Sequence, residues 1–362
     1  MASRPQPIPP VEVAGRRCRV LIVDDSVVAR LVIGHLLAED GRFEIVGEAT
    51  GADRALAYLA QGSCDIILLD IEMPGMCGLE ALPLLREASD AAILVLSSHC
   101  SHGAEASIRA MTLGATDTLL KPATRNLSGD FARRLTGIMG RIAEARYPAG
   151  SAERSAVPFP NAPDSPARPV RCLAIGASTG GVHAMIEFLQ ALPPAIEMPI
   201  LVTQHLPPAF IEPFANQMEL ATGRPFAPAR DGQVIAPGQV LVAPGDAHMT
   251  VEQDGDVNRI RFRRYKAASG CMPSVDPMLD SVAGVYGSDC AGVILSGMGR
   301  DGAEGGRALA DKGGDLLVQD QHSAVVWGMP GTVARQGIAR FVADPARLAR
   351  YVARRAGANG WG

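Results

Sequence analysis

Residues 172–192 read CLAIGASTGGVHAMIEFLQAL. The apolar run Cys172–Ile175 meets the glycine-rich hexad Gly176–Gly181, and apolar residues at helical spacing follow from Val182 to Leu192. A short apolar run, a sharp turn and a helix make one unit of a parallel α/β sheet. Ser178 stands in that turn, where its hydroxyl is held clear of the backbone. The unsatisfied N–H groups of the first helical turn lie beside it and suit a developing oxyanion. Ser178 is therefore the candidate acyl-transfer nucleophile, and Gly176–Gly180 fits the G-x-S-x-G turn pattern. A dinucleotide fingerprint is excluded. Ser178 occupies the position where a second glycine must let a pyrophosphate approach, and the next strand ends in Gln204-His205 rather than an acid.

Outward from this stretch the alternation continues. Strands are expected at Pro199–Thr203, Gln239–Ala243, Ala291–Leu295 and Gly314–Val318, with a hairpin around His248–Phe262. The second strand runs into His205, and the segment Gly292–Ser296 runs through Gly297-Met298-Gly299-Arg300 to Asp301. A serine, an imidazole and a carboxylate at three strand ends of one sheet can share a crevice. There His205 is the expected base and Asp301 the acid that holds its tautomer. His183, one turn into the helix after Ser178, is the runner-up base; His248 and His322 are weaker candidates. His35, His99 and His102 fall in the other half of the chain. The order serine, histidine, aspartate differs from that of α/β-hydrolases, where the acid precedes the histidine.

Toward the N-terminus lies Tyr147–Pro169, with six prolines and no apolar periodicity. It reads as an extended linker. Before it, strands are expected at Cys18–Val23, Glu44–Glu48, Asp65–Leu69, Ala92–Leu96 and Thr116–Leu120. Helices are expected at Val27–Leu37, Ala52–Leu59, Leu79–Glu87 and Glu105–Leu113. The fold class is α/β: two doubly wound, mostly parallel-sheet domains, the first flavodoxin-like and the second larger and Rossmann-like. The expected divisions are a tail at 1–16, a domain at 17–140, a linker at 141–169, a domain at 170–355 and a tail at 356–362.

Ligands of open parallel sheets bind beyond the carboxyl ends of the strands. In the first domain those ends carry Asp24-Asp25, Asp70, Ser97-Ser98 and Lys121-Pro122. Three converging carboxylates repel one another unless a cation sits among them, and Mg²⁺ suits a few carboxylates with water and phosphate oxygens. One carboxylate can then accept a phosphoryl group, with the lysine and a hydroxyl neutralising it.

Composition sets the frame. The chain has 362 residues, 47% apolar and 20% charged, with a net charge of −4. That balance describes folded domains and gives no basis for nucleic acid or anionic membrane as a partner. Seven cysteines are scattered at 18, 64, 77, 100, 172, 271 and 290 without a C-x-x-C pair, which fits reduced thiols in a cytoplasm. No signal peptide and no apolar run of membrane-spanning length is visible, so membrane insertion is not expected.

The first-domain strings Val23-Asp24-Asp25-Ser26, Leu69–Pro74 with Gly78-Leu79, Ser97-Ser98 and Lys121-Pro122 resemble the receiver domain of bacterial response regulators. The resemblance covers about residues 17–140. It implies that Asp70 is the phospho-acceptor, that Asp24 and Asp25 hold the metal with it, that Ser97 is the switch hydroxyl, and that Lys121 contacts the phosphate. Cys77 departs from the aspartate many receivers carry before the glycine. The second domain resembles the chemotaxis protein-glutamate methylesterase family, CheB. The matching strings are Ile175–Gly181, Gln204–Pro208, Ala243–Met249, Pro273–Asp276, Ser296–Gly302 and Gly328–Pro330. This implies hydrolysis of glutamate γ-methyl esters on the cytoplasmic helices of methyl-accepting chemotaxis receptors, with deamidation of receptor glutamines. A chemotaxis histidine kinase is the implied phosphodonor, and the esterase needs no cofactor. By the same resemblance Ser178, His205 and Asp301 form the triad, and Thr179 and Met298 flank the crevice as oxyanion donors. Cys271-Met272 departs from the His-Arg pair that often precedes the Pro-Ser-Val-Asp string.

Two rivals differ in class. A DNA-binding response regulator needs a compact basic helical output domain, which the second half does not offer. A signalling adaptor with little esterase activity keeps the triad without using it. The basic cluster Arg259, Arg261, Arg263, Arg264 and Lys266 reads as a charged, solvated edge strand, with a surface for acidic receptor helices as its alternative. Arg347–Arg355 is expected to be an exposed helix. The receiver is expected to block substrate access until it is phosphorylated.

Overall fold

The computed structural model describes residues 17–97, 103–122, 129–146 and 169–357. The N-terminal tail, most of the linker, Ser98, His99, Cys100, His102 and the last residues lie outside them. The chain splits into two compact units that part near residue 155, with residues 104–116 grouped with the second.

In chain order the first half carries β1 (Cys18–Val23), α1 (Val27–Asp40), β2 (Phe43–Ala49), α2 (Ala52–Leu59), β3 (Ile66–Asp70), α3 (Gly78–Ala88), β4 (Ala92–Ser97), α4 (Gly103–Thr112), β5 (Asp117–Leu120) and α5 (Asp130–Arg146). Its five strands pair in the order β2-β1-β3-β4-β5, every pair parallel. The central strand β3 and its neighbour β4 are buried along their whole length, as apolar runs covered on both faces must be. Helix α1 starts where the Ser26 hydroxyl accepts from the Ala29 N–H and stops at Gly41, whose φ of 72° suits glycine. Helix α5 was not among the expected elements, and it runs to Arg146, past the expected domain end at 140. Burial of Ile142 and Ala143 holds its last turns.

The second half carries β6 (Cys172–Ala177), α6 (Gly181–Ala191), β7 (Ile200–Gln204), α7 (Pro208–Thr222), β8 (Phe226–Pro228), β9 (Val240–Val242), β10 (His248–Asp254), β11 (Val257–Arg263), α8 (Val275–Tyr286), β12 (Cys290–Ile294), α9 (Ala303–Asp311), β13 (Asp315–Gln319), α10 (Met329–Arg335), β14 (Phe341–Ala343) and α11 (Pro345–Arg355). A seven-stranded parallel sheet has the order β14-β13-β12-β6-β7-β9-β8, and β10 and β11 form a separate antiparallel hairpin. The sheet's two faces are read off by alternation along each strand. Leu173, Ile175, Val202 and Val293 pack with Phe188, Phe214 and Val352 on one side. Cys172, Ala174, Leu201 and Ile294 pack with Met278, Leu279, Leu309 and Ile260 on the other. The order in which strands are added reverses between β6 and β12, as it does between β1 and β3 in the first sheet, and crevices open at such points.

One expectation is corrected. Helix α11 is not an exposed element: Leu348, Tyr351 and Val352 are buried in the core, and only Arg347, Arg350 and Arg354 face outward. The basic cluster on and just past β11 lies on a charged edge strand of the hairpin, with its arginines ion-paired. Arg259 meets Asp254, Arg261 and Arg263 both meet Glu252, and Arg264 meets Asp246. Among the described residues no helix is long and apolar enough to cross a membrane.

Candidate functional site

Strands β12, β6 and β7 lie side by side, and their hydrogen-bond ladder continues past the strand ends. Leu295 N–H donates to Gly176 O at 2.9 Å, Ser178 N–H to Ser296 O at 3.0 Å, and His205 N–H to Ala177 O at 3.2 Å. This register brings the three strand-end segments to one level. The turn itself depends on glycine. Gly180 has φ 74°, and a Cβ there would stand 2.7 Å from both Ser296 Oγ and Val325 Cβ. A Cβ on Gly297 would stand 2.9 Å from Ser178 Cβ. Gln204 Nε2 donates to Ser178 O at 3.0 Å, and Ser296 Oγ donates to Thr179 O at 2.9 Å, so the loop around the serine is held from both neighbouring strands.

His205 Nε2 and Asp301 Oδ2 are 2.7 Å apart. Asp301 is 1% exposed and sits against the start of α8, where it collects donors. Ser274 Oγ donates to Oδ1 at 2.6 Å and Val275 N–H to Oδ2 at 2.7 Å, with Gly302 N–H adding a bond to Oδ1 at 3.1 Å. The positive end of a helix and these donors favour the ionised carboxylate. Burial opposes ionisation, but the bond and charge of His205, then Ser274, outweigh it and hold Asp301 well below the usual carboxylate range. Burial likewise opposes a charged His205; the Asp301 bond and the neighbouring Cys271 overcome it and raise the imidazole to about 9. Next to this pair, burial pushes the Asp276 carboxyl up to about 7.

Ser178 is partly exposed, and its hydroxyl makes no hydrogen bond among the described residues. The Ser178 turn and His205 thus follow neighbouring strands, with the His205–Asp301 bond formed. His183 instead lies exposed on α6, and His322 is also exposed. His248 is fully buried with both ring nitrogens engaged: Nδ1 accepts from Ser274 N–H at 3.0 Å and Nε2 donates to Tyr265 O at 2.8 Å. That fixes it as the neutral Nε2–H tautomer, a support for Ser274 rather than a base. Sequence reasoning quoted Ser274 inside a matching string but gave it no role. Its signal was weak: an N-cap serine 27 residues from the acid it serves.

In the first unit, Asp24 and Asp70 are buried and Asp25 is exposed. One carboxylate oxygen from each lies within 4.8 Å of the others. Lys121 Nζ donates to Asp24 Oδ2 at 2.8 Å. It also stands 2.9 Å from Asp70 Oδ1 as an ion pair. Burial lifts the Asp70 carboxyl above its ordinary value against the pull of Lys121. Burial works against the Lys121 charge, and the carboxylates of Asp70 and Asp24 outweigh it to hold the ammonium above its ordinary value. Three carboxylates with one oxygen of each inside 4.8 Å fit a hard divalent cation with oxygen ligands. The β3–β4 register sets Asp70 opposite Leu96, so Ser97 is the next residue along; its carbonyl accepts from Lys121 N–H at 2.7 Å. Arg30, which sequence reasoning missed, is buried and donates to Asp24 O at 2.7 Å, fixing the acidic turn.

Fold and sites together define a class: a receiver-type α/β unit joined in one chain to an α/β unit with a serine, histidine and aspartate at neighbouring strand ends. Residues 173–352 match the family model of CheB methylesterase, and residues 20–128 match that of the response regulator receiver domain. A protein-glutamate methylesterase/protein-glutamine glutaminase of Caulobacter vibrioides is 38% identical, over 93% of this chain and 99% of its own length. One of Pseudomonas aeruginosa is 37% identical, over 95% and 98%. The crystal structure of the Thermotoga maritima CheB methylesterase catalytic domain superposes with a TM-score of 0.50 at 31% identity, covering 51% of this chain and 98% of that one. The chain belongs to the CheB methylesterase family.

Proposed function

We propose that the chain is a phosphorylation-regulated protein-glutamate methylesterase, and a protein-glutamine deamidase, that acts on the cytoplasmic helices of chemotaxis receptors. The observation that carries this reading is the 2.7 Å bond between His205 Nε2 and Asp301 Oδ2 at strand ends adjoining the Ser178 turn. Asp301 holds the ring so that its other nitrogen, Nδ1, is the one left to take the Ser178 proton. Ser178 Oγ attacks the γ-carbonyl of the methyl ester, and backbone N–H groups of Thr179 and Met298 steady the oxyanion. His205 returns the proton to the departing methanol, and water drawn through the same base hydrolyses the acyl-enzyme. With a glutamine the same steps release ammonia.

In the receiver, Asp70 is the phospho-acceptor, and a chemotaxis histidine kinase is the donor. Asp24, Asp25 and Asp70 would hold Mg²⁺, which supplies charge neutralisation for the phosphoryl oxygens. Lys121 binds the transferred group, and Ser97 adds a hydroxyl to it. Receptor substrate and kinase both place the protein in the cytoplasm.

Methanol release from methylated receptor membranes tests the reading. A folded Ser178→Ala protein should lose several orders of magnitude in rate, His205→Ala should be inactive, and His183→Ala should retain activity. Methanol release near the unmodified rate by Ser178→Ala would refute the assignment.

A further inference from the structure

A nitrogen of His205, the sulfur of Cys271 and a carboxylate oxygen of Asp301 lie within 4.8 Å of one another. Imidazole, thiolate and carboxylate form a donor set suited to Zn²⁺, a borderline-soft ion bound tetrahedrally through N, S and O. Three protein ligands leave a fourth position for water, the arrangement of an open zinc site. Donor atoms around such an ion stand about 3.3 to 3.6 Å apart, given bonds of about 2.0 to 2.3 Å. If Nε2 and Oδ2 are the donors, their 2.7 Å contact opens by more than half an ångström. The carboxylate is already oriented by Ser274 Oγ, Val275 N–H and Gly302 N–H, the outer support that ligating carboxylates have. Cys271 is partly exposed, so an ion can reach it from solvent. Its own backbone is tied down by a 3.3 Å bond from its N–H to Ser269 Oγ.

We propose that Zn²⁺ binds His205, Cys271 and Asp301 and reversibly shuts off the esterase by occupying the catalytic base. The regulatory half of this rests on His205 being that base. Binding breaks the Cys271 S–H bond and forms a Zn–S bond, the proton passing to solvent. The imidazole binds as the neutral ring through a nitrogen lone pair, and any second ring proton also passes to solvent. No group changes oxidation state, so a chelator restores the free triad.

The full-length chain is titrated with Zn²⁺ in competition with a chromogenic zinc indicator, and separately with Co²⁺ to read the thiolate-to-cobalt charge-transfer band. With excess Mg²⁺ present to fill the Asp24, Asp25 and Asp70 site, one zinc per chain and a thiolate band are expected, both retained in Ser178→Ala. In Cys271→Ser the band should vanish and zinc affinity fall at least tenfold. Methanol release is then measured with and without Zn²⁺, each protein against its own zinc-free rate. The unmodified chain should lose activity in step with site occupancy, and Cys271→Ser should need at least tenfold more zinc for the same loss. Absence of stoichiometric zinc, a cobalt spectrum without a thiolate band, or equal zinc sensitivity in Cys271→Ser overturns the site. Full occupancy with undiminished methanol release overturns the inhibition. A Ser178→Ala protein that still hydrolyses ester while binding zinc refutes the catalytic reading and leaves the metal site standing.

Discussion

Replacing Asp301 by asparagine tests how the triad is poised. The amide is nearly isosteric and keeps an oxygen for Ser274 Oγ, but it removes the charge that His205 Nε2 meets at 2.7 Å. With Asp301 present, His205 is raised to about 9 from an ordinary value of 6.5, although burial alone would lower it. Without the carboxylate only Cys271 is left to oppose burial, so the imidazole should titrate well below 9. Each tenfold fall in the proton affinity of the ring is about 1.4 kcal/mol of lost interaction with its charged form. The base works only when neutral, so kcat/KM of the unmodified protein should rise with pH through about 9. In Asp301→Asn the rise should move to lower pH. Its plateau should be lower by about 10⁴, because the amide no longer fixes the productive tautomer. The same shift has a sign in stability. A folded-state value above the ordinary one stabilises fully below pH 6.5, and that contribution is lost as pH rises through about 9. Asp301 lies on the other side of its ordinary 3.8, so its share is present above that value and fades as pH falls below it. The assays are the pH–rate profile of methanol release and an NMR titration of the His205 ring protons. Equal midpoints for the two proteins, or a midpoint near 6.5 in the unmodified chain, would show that the 2.7 Å contact does not set the base.

Ser274→Ala removes the 2.6 Å bond to Asp301 Oδ1; a hydrogen bond to a buried charge contributes about 1.5–3 kcal/mol, so the urea midpoint should fall accordingly, and an unchanged midpoint would rule this out. Asp70→Asn should abolish Mg²⁺-dependent labelling by a small phosphodonor while leaving the basal esterase rate; a normal yield of base-labile acyl phosphate would exclude Asp70 as the acceptor. A fragment from about Pro169 onward should release methanol faster than the intact unphosphorylated chain at equal concentration; an equal or slower fragment would mean that the receiver activates or recruits rather than blocks.

Much of this protein is written in local pattern. Apolar runs such as Ile66–Leu69 and Leu173–Ile175 are covered on both faces and so leave an unbroken hydrophobic signature. Once strands and a parallel sheet are read, their carboxyl ends are fixed points. That is why Asp24, Asp70, Lys121, Ser178 and His205 could be picked out before any pairing was known. The three-residue edge strands β8 and β14 were not visible, because so few residues carry no periodicity. The arginines of α11 suggested exposure, and only packing shows that Leu348, Tyr351 and Val352 fill the opposite face. His248 looked like a candidate base; its role was decided by Ser274 and Tyr265, 26 and 17 residues away, which occupy both ring nitrogens. Cys271 read as a departure in a loop, and only the tertiary structure sets its sulfur beside His205 and Asp301. The sequence by itself determined which chemistry-bearing residues stand at strand ends, since secondary structure follows from local periodicity. The tertiary structure alone decided which of them share hydrogen bonds and charge, since those energies depend on distances across the fold that no local pattern encodes.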